Sequence, residues 1–290
     1  MVSARSLGAL LNLSPRFPQD TTLILVAFAG WSDAGDAATD AVDCILDALD
    51  AQEVLVLDSD EFYDYSNNRP EIVLTINDVR EIEWPETTVY KATSPLLAGT
   101  NIYVVLGVEP NMKWKPFCEQ IFSAIPTTPS TVMITLGAML AEVAYSRPIP
   151  VQGSTSHTQL RELTGLEPSR YEGPTGILGI LSTLAMERNI ASVSYWAAVP
   201  HYASAPPCPK ATLALVRSVE DLLDCTFNLT DLEEEARSWE LGAREMVSED
   251  EDLAEYIRQI EQSQDTAELP EATGEAIAKE FERYLRRRER

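Results

Sequence analysis

The sequence LILVAFAGWSDAGDAATDAVDCILDAL, residues Leu23–Leu49, decides the fold. It begins with an apolar run of the length and composition of a buried strand. Gly30–Gly35 follows as a turn, because glycine stands at both ends and Ser32 and Asp33 offer side-chain acceptors between them. From Ala34 onward, apolar residues recur every three or four positions, which predicts a helix. A strand, a tight turn and a helix open a βα unit, and α/β folds bind ligands at such turns.

The turn is not a phosphate-binding P-loop, although its two glycines have the P-loop spacing. Asp36 and Ala37 stand where a P-loop has its lysine and its hydroxyl residue. Asp33 and Asp36 complement the positive end of the helix dipole but repel phosphate unless a cation lies between them. Such a pair can hold Mg²⁺ or share a proton. The simpler interpretation is that Ser32 or Asp33 caps the helix, and a ligand or partner site is the alternative.

The predicted helix carries an acidic stripe. Its aspartates are spaced four, three, four and three residues apart and share one face: Asp36, Asp40, Asp43, Asp47 and Asp50. A solvated face explains the stripe, and docking of a basic partner is the alternative.

Composition and net charge limit the kinds of partner and the cellular location that we expect for this protein. The chain has 290 residues, 45% of them hydrophobic, and a formal net charge of −24. A negative field of this size disfavours nucleic acid and anionic membranes as partners and favours basic proteins. The four cysteines are far apart and lack metal-ligand spacing, as in a reduced intracellular protein. No run is long enough to span a membrane. We therefore expect a cytoplasmic protein with no cofactor, no metal site and no catalytic residue.

Downstream of the first unit, apolar strands interleave with helices. Gly137 is predicted to open a turn after its strand. The predicted strands are Glu53–Leu57, Ile72–Ile76, Val89–Ala92, Ile102–Leu106, Thr131–Leu136 and Ala191–Val199, with helices from Trp114, after Gly176 and over Ala211–Cys225. This alternation predicts an α/β fold with a mostly parallel sheet flanked by helices.

Composition also divides the chain. Residues 1–20 read as an N-terminal arm and residues 21–225 as the α/β domain. Residues 226–290 are rich in glutamate and poor in β-branched residues. Their narrow apolar stripe predicts an acidic helical appendage that packs on the main domain or on a neighbouring chain.

Several segments, in this order, resemble the PAC2 family, which is named for a proteasome assembly chaperone. The resemblance covers roughly residues 22 to 225, and the acidic tail is similar to that of actinobacterial-type members. The segments are FAGWSDAGDAATDAV, FYDY followed by Arg69-Pro70, GVEPNMKWKPF, TLGAMLAEVAYSRPIPVQG, SRYEGPTGILGIL and WAAVPHYASAPPCPKATLAL.

The resemblance implies a scaffold similar to those of nucleoside phosphorylases and peptidases, with chaperone or assembly roles in some relatives. We predict a non-enzymatic assembly chaperone or protein-interaction scaffold that forms a homo-oligomer, with a trimer as the suggested order. The alternative is a nucleoside-phosphorylase-like enzyme or an amide hydrolase. Some proteasome-docking chaperones use a C-terminal hydrophobic-tyrosine-any tail. This sequence ends in Arg288-Glu289-Arg290 with Tyr284 further back, so we do not expect docking by that route.

The candidate ligand or partner crevice is formed by the turns that follow the strands. Gly173–Gly176 precedes an uncharged helix and offers bare backbone N–H groups, which makes it the better seat for an anion. His201 follows a strand, and the third turn adds two polar side chains. The candidate residues are Gly30, Trp31, Ser32, Asp33, Gly35, Glu109, Asn111, Gly173, Thr175, Gly176 and His201.

Overall fold

The computed structural model describes residues 21–97 and 99–268. The strands are β1 (Thr21–Ala29), β2 (Asp50–Val56), β3 (Glu71–Leu74), β4 (Arg80–Glu83), β5 (Thr87–Thr93), β6 (Thr100–Val108), β7 (Val132–Ala141), β8 (Val151–Ser154) and β9 (Ala191–Pro200). The helices are α1 (Ala37–Asp47), α2 (Ser59–Phe62), α3 (Trp114–Ala124), α4 (Thr158–Thr164), α5 (Ile177–Glu187), α6 (Pro209–Leu223), α7 (Thr230–Ser248) and α8 (Glu251–Glu268). The predicted N-terminal arm, residues 1–20, lies outside the described residues.

The main sheet has the order β2-β5-β6-β1-β7-β9-β8. Its centre is parallel, since β1 pairs in parallel with β6 and β7, and β7 pairs in parallel with β9. β5 and β8 run against their neighbours. The sheet is therefore mixed but mostly parallel, and the predicted α/β class is confirmed.

Helices cover both faces of the sheet. α1, α6 and α7 bury one core with Leu23, Leu25 and Ala27 of β1. α3 and α5 bury a second core with the alternate residues of the same strand, including Phe28. A strand buried on both faces reads as a continuous apolar run, which explains the sequence of β1.

The tail helices pack on the α/β part, as the apolar stripe predicted. Leu232 and Ala236 of α7 lie in the first core. Ala243 and Val247 form a third cluster with Ile257 of α8 and with side chains that follow β7. The boundary at residue 225 stays a prediction, and residues 269–290 lie outside the described part of the chain.

Two local predictions were wrong. The helix does not begin at Ala34: residues Ala34–Asp36 form a 3-10 turn with φ +63° at Gly35 and +53° at Asp36, and the α-helix begins at Ala37. Gly137 does not open a turn, because β7 continues through it to Ala141. The Trp196 ring of β9 lies where a side chain at 137 would be, 2.8 Å from a Cβ built there, so this glycine serves strand packing.

A second, two-stranded sheet stands apart from the first. β3 pairs antiparallel with β4, and this hairpin lies in the connection between β2 and β5. The prediction of a strand near Ile72 was right, but β4 was not predicted.

Candidate functional site

The loop Gly30–Asp36 lies at the carboxyl end of the central strand β1. Its Asp33 N–H donates to the Gly30 carbonyl at 3.1 Å. Two neighbouring segments bind it from the sides. The Ala138 N–H of β7 donates to the Ser32 carbonyl, and the Cys208 N–H before α6 donates to the Gly35 carbonyl, each at 2.8 Å. The loop is therefore held by backbone hydrogen bonds along its whole length.

Of the two residues predicted to cap helix α1, Asp33 does so and Ser32 does not, although Asp36 stands at the N-cap position itself. Asp33 Oδ1 accepts from the backbone N–H groups of Ala38 at 2.6 Å and Thr39 at 3.2 Å, and its Oδ2 accepts from the Thr39 hydroxyl. Burial raises the pKa of the Asp33 carboxyl, while these hydrogen bonds act in the opposite direction. Both carboxylate oxygens accept hydrogen bonds from the first turn of α1, so the Asp33 carboxylate stabilises the start of this helix.

A second carboxylate caps the helix on the other face of the sheet. Glu109 follows β6, and its N–H donates to the Ala29 carbonyl at 2.9 Å. Its Oε1 accepts from the Ile177 N–H, the first residue of α5, at 2.8 Å. The N-terminus of α5, which the sequence predicted as the better anion-binding position, is therefore already occupied by the Glu109 carboxylate.

Residues from several turns of the candidate crevice pack closely around Gly176. A methyl group there would lie 2.8 Å from Glu109 Oε1, 2.9 Å from Ser32 Oγ and 3.1 Å from Trp31 Cε3. Four predicted site residues from three separate turns therefore meet at one point, with Gly30 beside them, 3.6 Å from Glu109 Cβ when a Cβ is built on it. Only glycine fits at this approach.

Ser32 is the unusual group in this cluster. Its side chain is 2% exposed, and its hydroxyl finds no hydrogen-bond partner among the described residues. A buried hydroxyl without a partner costs folding free energy. Trp31, next to it, is 66% exposed.

The segment before α5 is exposed and held by its own residues. The Tyr171 hydroxyl donates to the Pro174 carbonyl at 2.9 Å, and its ring lies against Gly173. Thr175 is exposed, and its side chain covers Gly179 one turn into the helix.

Two predicted residues have their contacts elsewhere. Asn111 Oδ1 accepts from the Asp64 N–H at 2.9 Å, which ties the third turn to the loop after α2. The His201 ring packs edge-on against Tyr202 and Tyr256, and its Nδ1 lies 3.4 Å from the Ala141 carbonyl. Tyr256 belongs to α8, so His201 contacts the C-terminal helices.

Only three aspartates of the predicted acidic stripe lie on α1, namely Asp40, Asp43 and Asp47, because Asp36 precedes the helix and Asp50 begins β2. This shorter stripe is partly packed. Burial, followed by repulsion from Asp36, Asp33, Asp43 and Glu235, raises the pKa of Asp40 to about 6. Burial and Asp47 raise the pKa of Asp43 as well. The stripe is therefore more than a solvated face, because α7 brings a further carboxylate toward it.

Two exposed apolar side chains lie on β7 beside the candidate crevice. Met139 and Leu140 continue β7 just beyond the hydrogen bond between Ala138 and Ser32, and both side chains are about half exposed. Sequence reasoning missed them, because an apolar pair at the end of a strand resembles core. Accessible apolar side chains suit contact with a protein surface.

Two kinds of feature are absent from the described residues. Within residues 21–97 and 99–268, no three His, Cys, Asp or Glu side chains are grouped so as to hold a metal ion. In the same part of the chain, every helix is too short or too polar to cross a bilayer.

Comparison with known proteins identifies the family. The PAC2 family model matches residues 27–247. A PAC2 family protein from Streptomyces avermitilis is 37% identical, with 82% of this chain and 99% of that chain covered and a TM-score of 0.70. A proteasome-assembly chaperone homologue from Mycobacterium tuberculosis is 40% identical, with 81% and 99% covered and a TM-score of 0.71.

A more distant structure shares the fold. PbaB from Pyrococcus furiosus, described as an archaeal proteasome activator, is 17% identical over 80% of this chain and 95% of that chain, with a TM-score of 0.59. No curated protein matched the sequence. The family model covers most of the chain, and the two bacterial structures exceed one-third identity, so the chain belongs to the PAC2 family.

Proposed function

We propose that this chain is a non-enzymatic assembly chaperone whose clients are subunits of a proteasome core particle. The observation that carries the proposal is its 40% identity to a proteasome-assembly chaperone homologue over 99% of that chain. Because 99% of the relative's chain is matched, nearly all of its structure has an equivalent in this protein.

The site geometry supports a role in contact rather than in chemistry. Asp33 and Glu109 are carboxylates at the crevice, and both accept hydrogen bonds from helix N-termini. A general acid or base needs to reach the proton that it transfers. Trp31, Met139 and Leu140 expose apolar surface at this edge. The polar residues Asn111, Thr175 and His201 are exposed there as well. No observation among the described residues favours the phosphorylase or hydrolase alternative.

We also propose that the chain self-associates and acts in the cytoplasm. All four cysteines are thiols rather than disulfides, as expected of a reducing compartment. Exposed apolar side chains are available for contact between copies. The suggested trimer stays a prediction. The C-terminal tail, residues 269–290, lies outside the described residues, so the expectation that it does not dock on a proteasome stays a prediction too.

The test uses separately purified α and β subunits of the proteasome from the same source. Each subunit is mixed with the full chain and measured by native mass spectrometry. We expect the chain to form a complex with α or β subunits, and we expect no complex between the chain and the mature core particle. If the chain binds neither α nor β subunits at concentrations where the subunits themselves assemble, proteasome subunits are not its clients.

A further inference from the structure

The sheet edge beside the candidate crevice carries three accessible apolar side chains. Trp31, Met139 and Leu140 are 66, 45 and 56% exposed. The 2.8 Å hydrogen bond from the Ala138 N–H to the Ser32 carbonyl holds their two segments together. We call these three residues the apolar edge. Accessible apolar side chains grouped in this way indicate a contact that the described residues do not supply.

Carboxylates belong to the same two segments. Asp36 lies in the loop that contains Trp31, and Glu142 follows Leu140 by two residues. Both carboxylates are exposed, and the full chain has a net charge of −24. Carboxylates next to exposed apolar groups fit an occupant that is both apolar and cationic. The face of the Trp31 ring also attracts arginine side chains.

The chain contains a segment of that chemistry outside the described residues. Residues 283–290 include five arginines and one glutamate. Ile277, Phe281 and Tyr284 are spaced four and three residues apart, which predicts the apolar face of a helix. In such a helix most of the arginines point away from this face. We call residues 277–290 the basic segment.

The basic segment is close enough in the chain to reach the apolar edge. α8 passes beside this edge, because the Tyr256 ring packs on His201 with centroids 5.7 Å apart and His201 Nδ1 lies 3.4 Å from the Ala141 carbonyl. From Tyr256 to Glu268 the helix advances about 18 Å. Residues 269–276 span about 26 Å at full extension, which is enough to return to the edge.

The size of the apolar edge favours an occupant that is tethered to the same chain. With about 200 Å² for each fully exposed large apolar side chain, its three residues offer roughly 300 Å², which is well below the area per partner of a standard interface between separate proteins. A tethered segment needs less area, because its effective concentration is about millimolar. We propose that the basic segment docks on the apolar edge of its own chain, with its arginines beside Asp36 and Glu142. This inference does not depend on which clients the chain binds.

The test measures how fast an arginine-specific protease cleaves the basic segment of the full chain, with the products followed by mass spectrometry. Leu140→Lys places a positive charge in the apolar edge. Leu241→Lys is the matched control, because Leu241 on α7 is 55% exposed, and neither substitution adds a cleavage site. Circular dichroism checks that both variants are folded.

The expected difference follows from the docked fraction of the basic segment. Only the undocked segment is cleaved, so a contact with a dissociation constant of about 0.1 mM slows cleavage about tenfold at a millimolar effective concentration. We expect the wild type and Leu241→Lys to be cleaved equally slowly, and Leu140→Lys to be cleaved about tenfold faster. Phe281→Asp changes the basic segment itself and should accelerate cleavage to the same extent.

Three outcomes overturn the inference. The first is an equal cleavage rate in the wild type, Leu140→Lys and Phe281→Asp. The second is slow cleavage that depends on protein concentration, which assigns the basic segment to a second copy. The third is slow cleavage only when vesicles of anionic lipid are present, which assigns it to a membrane surface.

Discussion

Replacing Asp33 with alanine tests whether this buried carboxylate is a structural cap. The substitution removes the acceptors for two backbone N–H groups and for the Thr39 hydroxyl. Loss of an N-cap costs about 0.5–2 kcal/mol, while the Thr39 hydroxyl keeps the Asp36 carbonyl as an acceptor at 3.2 Å. Relief of the desolvation that raises the Asp33 pKa offsets part of this cost. We therefore expect the free energy of unfolding to fall by about 1–2 kcal/mol.

The assay is urea unfolding at neutral pH, with Asp33→Asn as the matched variant. Asparagine keeps an oxygen for the Ala38 and Thr39 N–H groups, and its amide can donate to the Thr39 hydroxyl. The expected loss for Asp33→Asn is therefore below about 1 kcal/mol. If alanine costs nothing, or if asparagine costs as much as alanine, Asp33 is not acting as a cap and the argument fails.

Three further predictions concern the same region. Gly176→Ala should lower the free energy of unfolding by about 1–3 kcal/mol, because its methyl group overlaps Ser32 and Glu109; urea unfolding without a loss of this kind would contradict the close packing. Ser32→Ala should leave stability unchanged or raise it by up to about 1 kcal/mol, since it removes a buried hydroxyl without a partner, and a clear loss would mean that the hydroxyl has a partner. Asp40→Asn should stabilise the chain above pH 6, because there the wild-type carboxylate is ionised in a folded environment that disfavours its charge. The gain in the free energy of unfolding should vanish as the pH falls toward 3.8, where the carboxyl group becomes protonated in the folded and unfolded states alike. The full shift corresponds to about 3 kcal/mol, which solvent screening of this half-exposed group reduces to about 1 kcal/mol. Asp47→Asn is the control of equal charge change, and an equal pH dependence in both variants would refute the assignment to Asp40.

The central βα unit and the meeting of the turns after β1 and β6 were predictable from the sequence because both follow from local rules. Seven consecutive apolar residues require burial on both faces of a sheet. The carboxyl ends of parallel strands meet at one edge, which explains why Ser32 after β1 lies beside Glu109 after β6. The rule does not place Gly176, which follows α4 rather than a strand. His201 was expected at the same crevice but contacts α8 instead.

The rest depends on contacts between residues far apart in the chain. Glu109 caps a helix that begins 68 residues later, and no spacing rule reports such a pair. Glycine usually marks a turn, but Gly137 lies inside β7, because the Trp196 ring occupies the space that a side chain there would need. β4 was missed because two glutamates and an arginine in four residues do not resemble a strand.

The proposed assembly role is tested by the rate at which peptidase activity appears when purified α and β proteasome subunits are mixed with and without the full chain. We expect faster assembly with the wild type and with Asp33→Asn, and an unchanged specific activity of the finished particle. An unchanged assembly rate with the wild type, or acceleration that is lost in a folded Asp33→Asn variant, would contradict it.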